Sequence, residues 1–310
     1  MPLEVTVGLI AGEMRSRAER SLRHLLCQTA IERMEVLVVD MTPAAGPLEG
    51  TDDPRVRYVA RPGFSYYCDA QAEIMRLANA PIVAYVEDHC FTTPEWAASI
   101  LDTFSDANVA IVNYTFKNAN PDTYLSRAIL VAEYGRWMAP HPGGPVALSS
   151  STNVAYRTDL LRAVAGTDGG VFEAEFLIHR RIQERGGLIC VSPQATVAHE
   201  SWLDISRACV ANGSNKRVLG ARRAQLGGWG WPRRLAMAAA MPFMPGLFLA
   251  RLAWSLRNRP VLWSTYVVSL PVISVIYAYC AMSEGLGYIA GAADSREQFR
   301  RNELGVKRDG

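Results

Sequence analysis

Three consecutive polar residues, Glu87, Asp88 and His89, directly follow the apolar run IVAYV. They are the leading candidates in this sequence for a chemically active site. A carboxylate pair beside an imidazole offers hard oxygen ligands and one nitrogen, a combination that suits Mn²⁺ or a similar first-row cation. The alternative is a solvated strand end with a helix cap. Taken alone, the three residues leave both interpretations open.

The surrounding segments predict an α/β fold. From residue 5 to about 200, short β-branched runs alternate with longer stretches of helical spacing, the pattern of a mostly parallel, Rossmann-like sheet flanked by helices. Strands are predicted at residues 5–11, 34–40, 56–60, 82–86 and 109–116, and helices at 16–28, 65–79 and 94–104. Ligands of open α/β sheets bind outside the carboxyl ends of the strands, so Glu13 and Asp40 join the triplet as candidates.

The composition excludes some classes of function. The chain has 310 residues and a net charge of +2. This charge is too small to attract nucleic acid electrostatically, so nucleic acid is not expected as a partner. Its 6 cysteines include no C-x-x-C pair, which argues against a zinc or redox site of that kind and for reduced cysteines in a cytosolic setting. The opening MPLEVTVGLIAG has no basic region before its apolar stretch and is therefore interpreted as a strand rather than a signal peptide.

Two uncharged apolar runs predict membrane attachment. The first covers 16 residues, 235–250, and the second 24 residues, 260–283. A bilayer-spanning helix needs about 20 residues, so the second run is long enough, whereas the first, with Pro242 and Pro245, is either a kinked span or an interfacial segment. Buried helices of a larger soluble core are the alternative. The predicted organisation is a catalytic domain at 1–228, membrane-associated helices at 229–292 and a basic tail at 293–310.

Four stretches, in the right order, resemble the family 2 glycosyltransferases, which have the GT-A fold. They are VTVGLIA with the later MEVLVVDM, then YVEDHCFTTPEW, then STNVAYRTDLLRAVAG, and finally FEAEFLIHRRIQERGGLICVSPQATVAHE. The second stretch is similar to the family's metal-binding D-x-D followed by proline and tryptophan. Counting back from Trp96 places Glu87 and His89 on the two aspartate positions. The resemblance covers roughly residues 4–200.

The sequence also departs from the family pattern. One aspartate, Asp40, ends the second strand where the family often has two, and the paired Glu-Asp of the late helix reads Ala174 and Glu175. The family's Pro-Thr after the first strand is replaced by Ile10 and Ala11. The Q-x-x-R-W motif of the processive members is missing, so the resemblance implies a non-processive enzyme.

The resemblance implies a role for each matching residue. The implied donor-binding residues are Ala11, Glu13, Asp40, Glu87 and Asp88, with Asp40 accepting hydrogen bonds from the nucleotide base. The implied metal ligands are Glu87, His89 and His199, and the cation is Mn²⁺ or Mg²⁺, with the histidine favouring Mn²⁺. Arg217, next to Lys216, is a further candidate contact to a diphosphate or lipid phosphate, although a basic cluster beside a membrane is usually an electrostatic anchor. For His89 and His199 a purely structural role stays open.

Glu175 is the candidate general base for the acceptor hydroxyl, and Glu173 is its rival. If both residues lie on one helix, their side chains point about 200° apart and cannot easily share the role. A solvated helix acid is the alternative for each. His179, on the same predicted helix as Glu175, is interpreted as a surface or packing residue.

The sequence thus predicts an inverting, metal-dependent glycosyltransferase that moves a sugar from a nucleotide-sugar donor to a lipid-linked or glycan acceptor at the cytosolic face of the cell membrane. Basic residues on both sides of the apolar region favour that face. Homo-oligomerisation is left open. A non-catalytic, membrane-anchored sugar-nucleotide-binding module is one alternative. A nucleotidyltransferase is another, but GLIAGEM matches a Gly-rich phosphate loop only weakly.

Overall fold

The structure is a computed structural model that describes residues 2–166, 169–306 and 308. Its strands are β1 (Val5–Ala11), β2 (Met34–Asp40), β3 (Val56–Ala60), β4 (Ile82–Val86), β5 (Cys90–Thr92), β6 (Val109–Asn118), β7 (Gly144–Pro145), β8 (Val154–Arg157) and β9 (Leu188–His199). Its α-helices are α1 (Arg15–Leu26), α2 (Tyr67–Leu77), α3 (Trp96–Thr103), α4 (Tyr124–Tyr134), α5 (Thr158–Ala165), α6 (Glu175–Gln183), α7 (Ile205–Leu226), α8 (Trp231–Ala240), α9 (Met244–Leu256), α10 (Pro260–Ala290) and α11 (Ser295–Leu304).

The chain forms two compact units. The sheet unit consists of Met1–Lys117 with Ala139–His199, and the helical unit of Asn118–Met138 with Glu200–Gly310. The predicted catalytic, membrane and tail boundaries at residues 228 and 292 stay predictions. Contacts divide the chain elsewhere because α4, α7 and α11 belong to the same packed body as α10.

The sheet runs in the order β3-β2-β1-β4-β8-β6-β9-β5, with β7 paired to β9. Pairing is parallel through β3, β2, β1 and β4, as predicted, and the first four predicted strands have the observed bounds. Strand β8 runs antiparallel to both β4 and β6, and β5 antiparallel to β9. The sheet is therefore mixed, because strand direction in its second half is set by long-range pairing that no local pattern encodes.

The register of the parallel strands determines where the polar residues lie. Ala11 is opposite Asp40, and Leu9 is opposite Val86, the last residue of β4. Strands β1, β2 and β4 are mostly apolar and buried, and polar side chains lie at or just beyond the ends of β2 and β4. Ala11, Asp40 and Glu87 consequently lie at one edge of the sheet, as expected for ligand sites of open α/β sheets.

The helical unit is built around α10. Helix α4 begins with a capping box in which Thr123 and Ser126 satisfy each other's backbone N–H groups. Its buried face joins the apolar side chains of α7, α9 and α10 in one core. Helices α7 and α10 approach closely through glycines: a Cβ at Gly220 would overlap the carbonyl oxygen of Glu284, and one at Gly287 that of Arg217. Only glycine allows this backbone-to-backbone approach.

Two helical segments are long and apolar enough to cross a membrane. They are Trp231–Leu256, with a mean hydropathy of 1.5, and Pro260–Ala290, with a mean hydropathy of 1.7. Only 11% of the first and 33% of the second apolar window is buried, so most of this surface is exposed. The predicted kink is found as a 3₁₀ turn at Met241–Phe243, which contains Pro242 and separates α8 from α9. Length, composition and exposure thus favour membrane association.

Candidate active site

Four buried side chains form a cluster at the end of β4: Glu87, His89, Cys90 and His199. Their ligand atoms lie within 4.8 Å of one another. Nε2 of His89 is 3.3 Å from Oε2 of Glu87, and Nε2 of His199 is 3.8 Å from the same oxygen. The antiparallel pairing of β5 with β9 sets His199 opposite Cys90 and so brings the two distant segments together.

This cluster fits a divalent first-row cation. Two imidazole nitrogens and one carboxylate oxygen are a frequent set of three protein ligands, which leaves positions open for a substrate. The Cys90 thiol is 3.9 Å from Oε2 of Glu87 and adds a softer donor, which favours Zn²⁺ more than Mg²⁺. The three residues predicted as metal ligands are therefore brought together, and Cys90 is a member that the prediction omitted.

Asn153 holds Glu87 in place. Its side-chain oxygen accepts a hydrogen bond from the Glu87 backbone N–H at 3.1 Å, and its amide donates to Oε2 of Glu87 in a short contact. Asn153 is fully buried, directly before β8, the strand that pairs with β4. The STNVAYR stretch was recognised in the sequence, but no role was predicted for its asparagine. The structure shows that this residue orients the carboxylate.

Asp88 contacts two neighbouring side chains. Its Oδ2 accepts from Arg17 on α1 at 2.8 Å, and its Oδ1 is 3.0 Å from Nδ1 of His89. All three side chains are almost completely buried. Asp88 was predicted to bind the donor, but its carboxylate is engaged by Arg17 and His89. A carboxylate that binds Nδ1 fixes the imidazole's orientation and leaves Nε2 for the cluster.

Glu175 is the first residue of α6 and is buried. Its Oε1 accepts hydrogen bonds from the Gln71 side chain at 3.0 Å and from the Thr152 backbone N–H at 3.2 Å. The pKa of this carboxyl is raised from 4.5 to about 7, mainly by burial and to a lesser extent by the negative charge of Glu87, while the hydrogen bonds oppose the rise. A carboxyl with this pKa exchanges protons readily near neutral pH, as a general base must.

Glu173 has a different local setting. It lies in the 3₁₀ helix Gly169–Ala174 and is half-buried, whereas Glu175 opens the α-helix that follows. The angle of about 200° expected for two residues of one α-helix therefore does not apply to this pair. The greater burial of Glu175 instead distinguishes it from its rival.

Asp40 is completely buried at the end of β2. Arg15 donates to both of its carboxylate oxygens, at 2.9 and 2.8 Å, while Tyr58 donates at 2.7 Å and the Thr42 backbone N–H at 2.9 Å. A carboxylate has about four acceptor positions, and these four donors use them. The predicted contact to a nucleotide base therefore requires Arg15 or Tyr58 to move aside.

The remaining predicted residues have separate environments. Ala11 is buried at the end of β1, and Glu13 is exposed two residues later. Arg217 is in α7 of the helical unit, where its Nε donates to the carbonyl of Gly291 at 3.0 Å. His179 packs, as expected, in the core: it stacks on Tyr156 and shares a 2.8 Å hydrogen bond with its hydroxyl, and burial lowers its pKa to about 3.

Comparison with solved structures identifies the fold. A mannosyltransferase from Pyrobaculum calidifontis, PcManGT, solved in complex with GDP-Man and Mn²⁺, is similar with a TM-score of 0.53 and 16% identity over 97% of this chain and 87% of that one. Residues 1–349 of S. aureus TarS give a TM-score of 0.47 and 11% identity over 89% and 90% of the two chains. The likeness to the mannosyltransferase confirms the predicted GT-A fold.

No protein-family model matches this sequence, and no curated protein matches it either.

Proposed function

We propose that this chain is a metal-dependent, inverting and non-processive glycosyltransferase that uses a nucleotide-sugar donor. The observation that carries the proposal is the juxtaposition, at the end of β4 in a GT-A fold, of a buried cluster suited to a cation with a buried acid of raised pKa. PcManGT, which has this fold, binds GDP-Man and Mn²⁺. These points support transfer of a sugar from a nucleoside diphosphate.

In the proposed reaction Glu87, His89 and His199 hold the cation, with Cys90 beside them. A bound cation would neutralise charge that develops on the leaving diphosphate, since a nucleoside diphosphate is otherwise a poor leaving group. Asn153 keeps the Glu87 carboxylate oriented, and Asp88 does the same for the His89 ring. The cation is Mn²⁺ or Mg²⁺ in our proposal, and because the set includes a thiol, Zn²⁺ is included in its test.

Glu175 acts as the general base. Its carboxylate takes the proton of the acceptor hydroxyl as that oxygen attacks the anomeric carbon, while the bond from this carbon to the diphosphate oxygen breaks. One displacement inverts the anomeric configuration and needs no enzyme nucleophile. Gln71 and Thr152 both donate to Oε1 and thereby fix the direction of the carboxylate. In this proposal the donor pocket is lined by Ala11, Glu13 and the Asp40–Arg15 pair.

The acceptor in this proposal is a lipid-linked or other envelope glycan, and the site faces the cytosol. Exposed apolar residues on Trp231–Leu256 and Pro260–Ala290 support a location at the membrane, where such acceptors are found. Basic residues on both sides of this region favour the cytosolic face.

The test is release of nucleoside diphosphate by the purified full-length protein from a panel of GDP-, UDP- and dTDP-sugars. Turnover is expected with at least one donor in Mn²⁺, with none in a chelator and with recovery on metal addition; Mg²⁺ and Zn²⁺ are compared in parallel. Glu87→Ala and His89→Ala should abolish it, and Asp102→Asn, at an exposed site on α3, should not. Donor binding without turnover in any metal would instead identify a non-catalytic sugar-nucleotide-binding module.

A further inference from the structure

The helical unit contains a cavity of about 460 Å³ whose lining comes from α4, the 3₁₀ segment Gly135–Trp137 and helices α7, α8, α9 and α10. Its wall has two chemically different parts. One part is apolar and includes Met237, Met244 and Phe248. The other part is polar and contains charged groups, four of which are basic: Arg136, Lys216, Arg223 and Arg251.

The acidic groups of the cavity have their own partners. Glu284 accepts from Arg223 at 2.6 Å and from the Tyr288 hydroxyl. Glu133 accepts from the Ser201 hydroxyl at 2.8 Å and from the Asn212 amide at 2.9 Å. Among residues 2–166, 169–306 and 308, no carboxylate pairs with the other three cations, Arg136, Lys216 and Arg251. The cavity therefore has an excess of positive charge that the described protein does not neutralise.

Arg136 is half-buried in the cavity wall. Burial lowers the pKa of its guanidinium, Tyr277 opposes this effect, and the positive charge of Arg251 adds to it. Two cations that line one partly desolvated cavity repel each other, and the repulsion is relieved when an anion lies between them. An arginine pair is also the usual geometry for holding phosphate oxygens.

We propose that this cavity binds one phosphate-bearing lipid. The phosphate lies among Arg136, Arg251 and Lys216, and the hydrocarbon chain lies along Met237, Met244 and Phe248. A basic pocket beside membrane-associated helices is a recurring way of binding anionic lipid head groups. Helices α8 and α9, which supply Met237, Met244 and Phe248, also expose apolar residues such as Leu235 and Trp254. The residues that line the cavity include neither Glu87 nor Glu175, and the proposal does not depend on the glycosyltransferase reaction.

The experiment uses full-length protein in a neutral detergent and native mass spectrometry. Dioleoyl phosphatidic acid is the probe; dioleoyl phosphatidylcholine, dioleoylglycerol and inorganic phosphate are compared at the same concentrations. Phosphatidic acid is expected to bind one equivalent at least about tenfold more tightly than either other lipid, because charge and chain both contribute. Equal binding of the three lipids would overturn the proposal. So would binding of inorganic phosphate as tight as that of phosphatidic acid, which would leave the apolar wall without a role.

Variants separate the two parts of the cavity. Arg251→Gln and Arg136→Gln should each weaken phosphatidic acid binding severalfold, and the double variant at least about tenfold. Arg257→Gln is the matched control, because Arg257 is exposed just beyond α9, over the Trp254 ring, and does not line the cavity. Ala240→Trp should fill the apolar part and abolish binding while the cations remain. Circular dichroism confirms folding of each variant, and affinities of Arg251→Gln and Arg257→Gln that both equal that of the native protein would contradict the site.

Discussion

Asp88 is placed to act on His89. It is bonded on one side to Arg17 and on the other to Nδ1 of the imidazole, so the three residues form a buried chain behind the cluster. Ligating histidines usually have such a carboxylate partner, which fixes the tautomer and raises the basicity of the other nitrogen. We therefore propose a positioning role for Asp88, and its contact with the donor stays a prediction.

Asp88→Asn should weaken Mn²⁺ binding by about 10- to 100-fold, because the amide lacks the charge that supports His89. Calorimetric titration of Mn²⁺ into the purified protein, with saturating nucleoside diphosphate, measures this change. Asp102→Asn, at an exposed position on α3, should bind as the unsubstituted protein does. Asp88→Asn leaves Arg17 without its carboxylate partner, so thermal unfolding is used to check that this variant is still folded. Equal affinities in the two variants would contradict the role of Asp88.

Glu175→Gln should lower kcat by about 10²- to 10⁴-fold with little change in donor affinity, because the amide cannot accept the hydroxyl proton. Initial rates of nucleoside diphosphate release and equilibrium donor binding measure the two effects separately. Glu173→Gln is the matched control and should keep most of the rate. If Glu173→Gln showed the large loss and Glu175→Gln did not, the base would be Glu173.

The pH dependence follows from the same residue. In the proposed mechanism the carboxylate form of Glu175 is the active base, and its pKa is raised to about 7, so kcat/KM should rise with pH below about 7 and level off above it. A cation bound beside Glu87 opposes part of this rise in pKa, so the inflection should lie at about 7 or somewhat lower. Rates measured from about pH 5.5 to about pH 8.5 test this. A flat profile, or an inflection lost in Glu173→Gln, would be inconsistent with the assignment.

At the scale of elements, the helical unit depends on close approach of α7 and α10. Gly220 and Gly287 permit the contact, and Arg223 of α7 forms a salt bridge with Glu284 of α10. Arg259, between α9 and α10, donates to the carbonyls of Gly135, Arg136 and Met138 and thus secures the start of α10 to the end of α4. Arg259 therefore has a packing function.

Gly220→Ala should destabilise the protein by about 1 to 3 kcal/mol, because the new methyl group meets backbone atoms that cannot rotate away. Gly246→Ala, in α9, is the matched control: a Cβ there meets open space, and the substitution should be neutral or stabilise by up to about 1 kcal/mol. Thermal unfolding in detergent, followed by circular dichroism, compares them. Equal shifts of the unfolding midpoint would show that the close approach is unimportant.

At the scale of the whole molecule, the exposed apolar surface is concentrated on the two long apolar segments. Their largest exposed side chains include Phe243 at 80%, Val261 at 72% and Trp254 at 69%. Apolar surface of this extent is not stable in water and is typical of membrane contact. Both segments follow the sheet unit in the chain, so one polypeptide combines a GT-A fold with a membrane-associated region.

Val275→Glu should reduce retention in membranes, because Val275 lies in the middle of α10 and is 51% exposed. An acidic side chain at the centre of a bilayer costs about 3 kcal/mol. Leu148→Glu is the control, since Leu148 is 54% exposed in the sheet unit and outside the apolar segments. The protein fraction that stays in membranes after alkaline carbonate washing is the measurement. Retention of Val275→Glu at the level of Leu148→Glu would argue against contact of this face with lipid.

The sequence by itself determined the elements and the sheet edge that carries the site. Apolar runs predicted β1, β2 and β4 because strands buried on both faces have nearly continuous apolar sequences, and Glu87, Asp88 and His89 follow such a run. The two apolar segments were also evident, since length and hydropathy are local properties.

Only the tertiary structure decided how distant residues combine. Pairing of β5 with β9 brought His199 to Cys90, pairing of β4 with β8 brought Asn153 to Glu87, and Arg15 engaged Asp40. The burial that raises the pKa of Glu175 comes from residues far away in the chain. These contacts join positions that are tens of residues apart, and neither periodicity nor composition specifies which side chains meet. The physical reason is that the local sequence pattern determines which face of a helix or strand is buried. The packing of the whole chain determines which distant side chains contact that face.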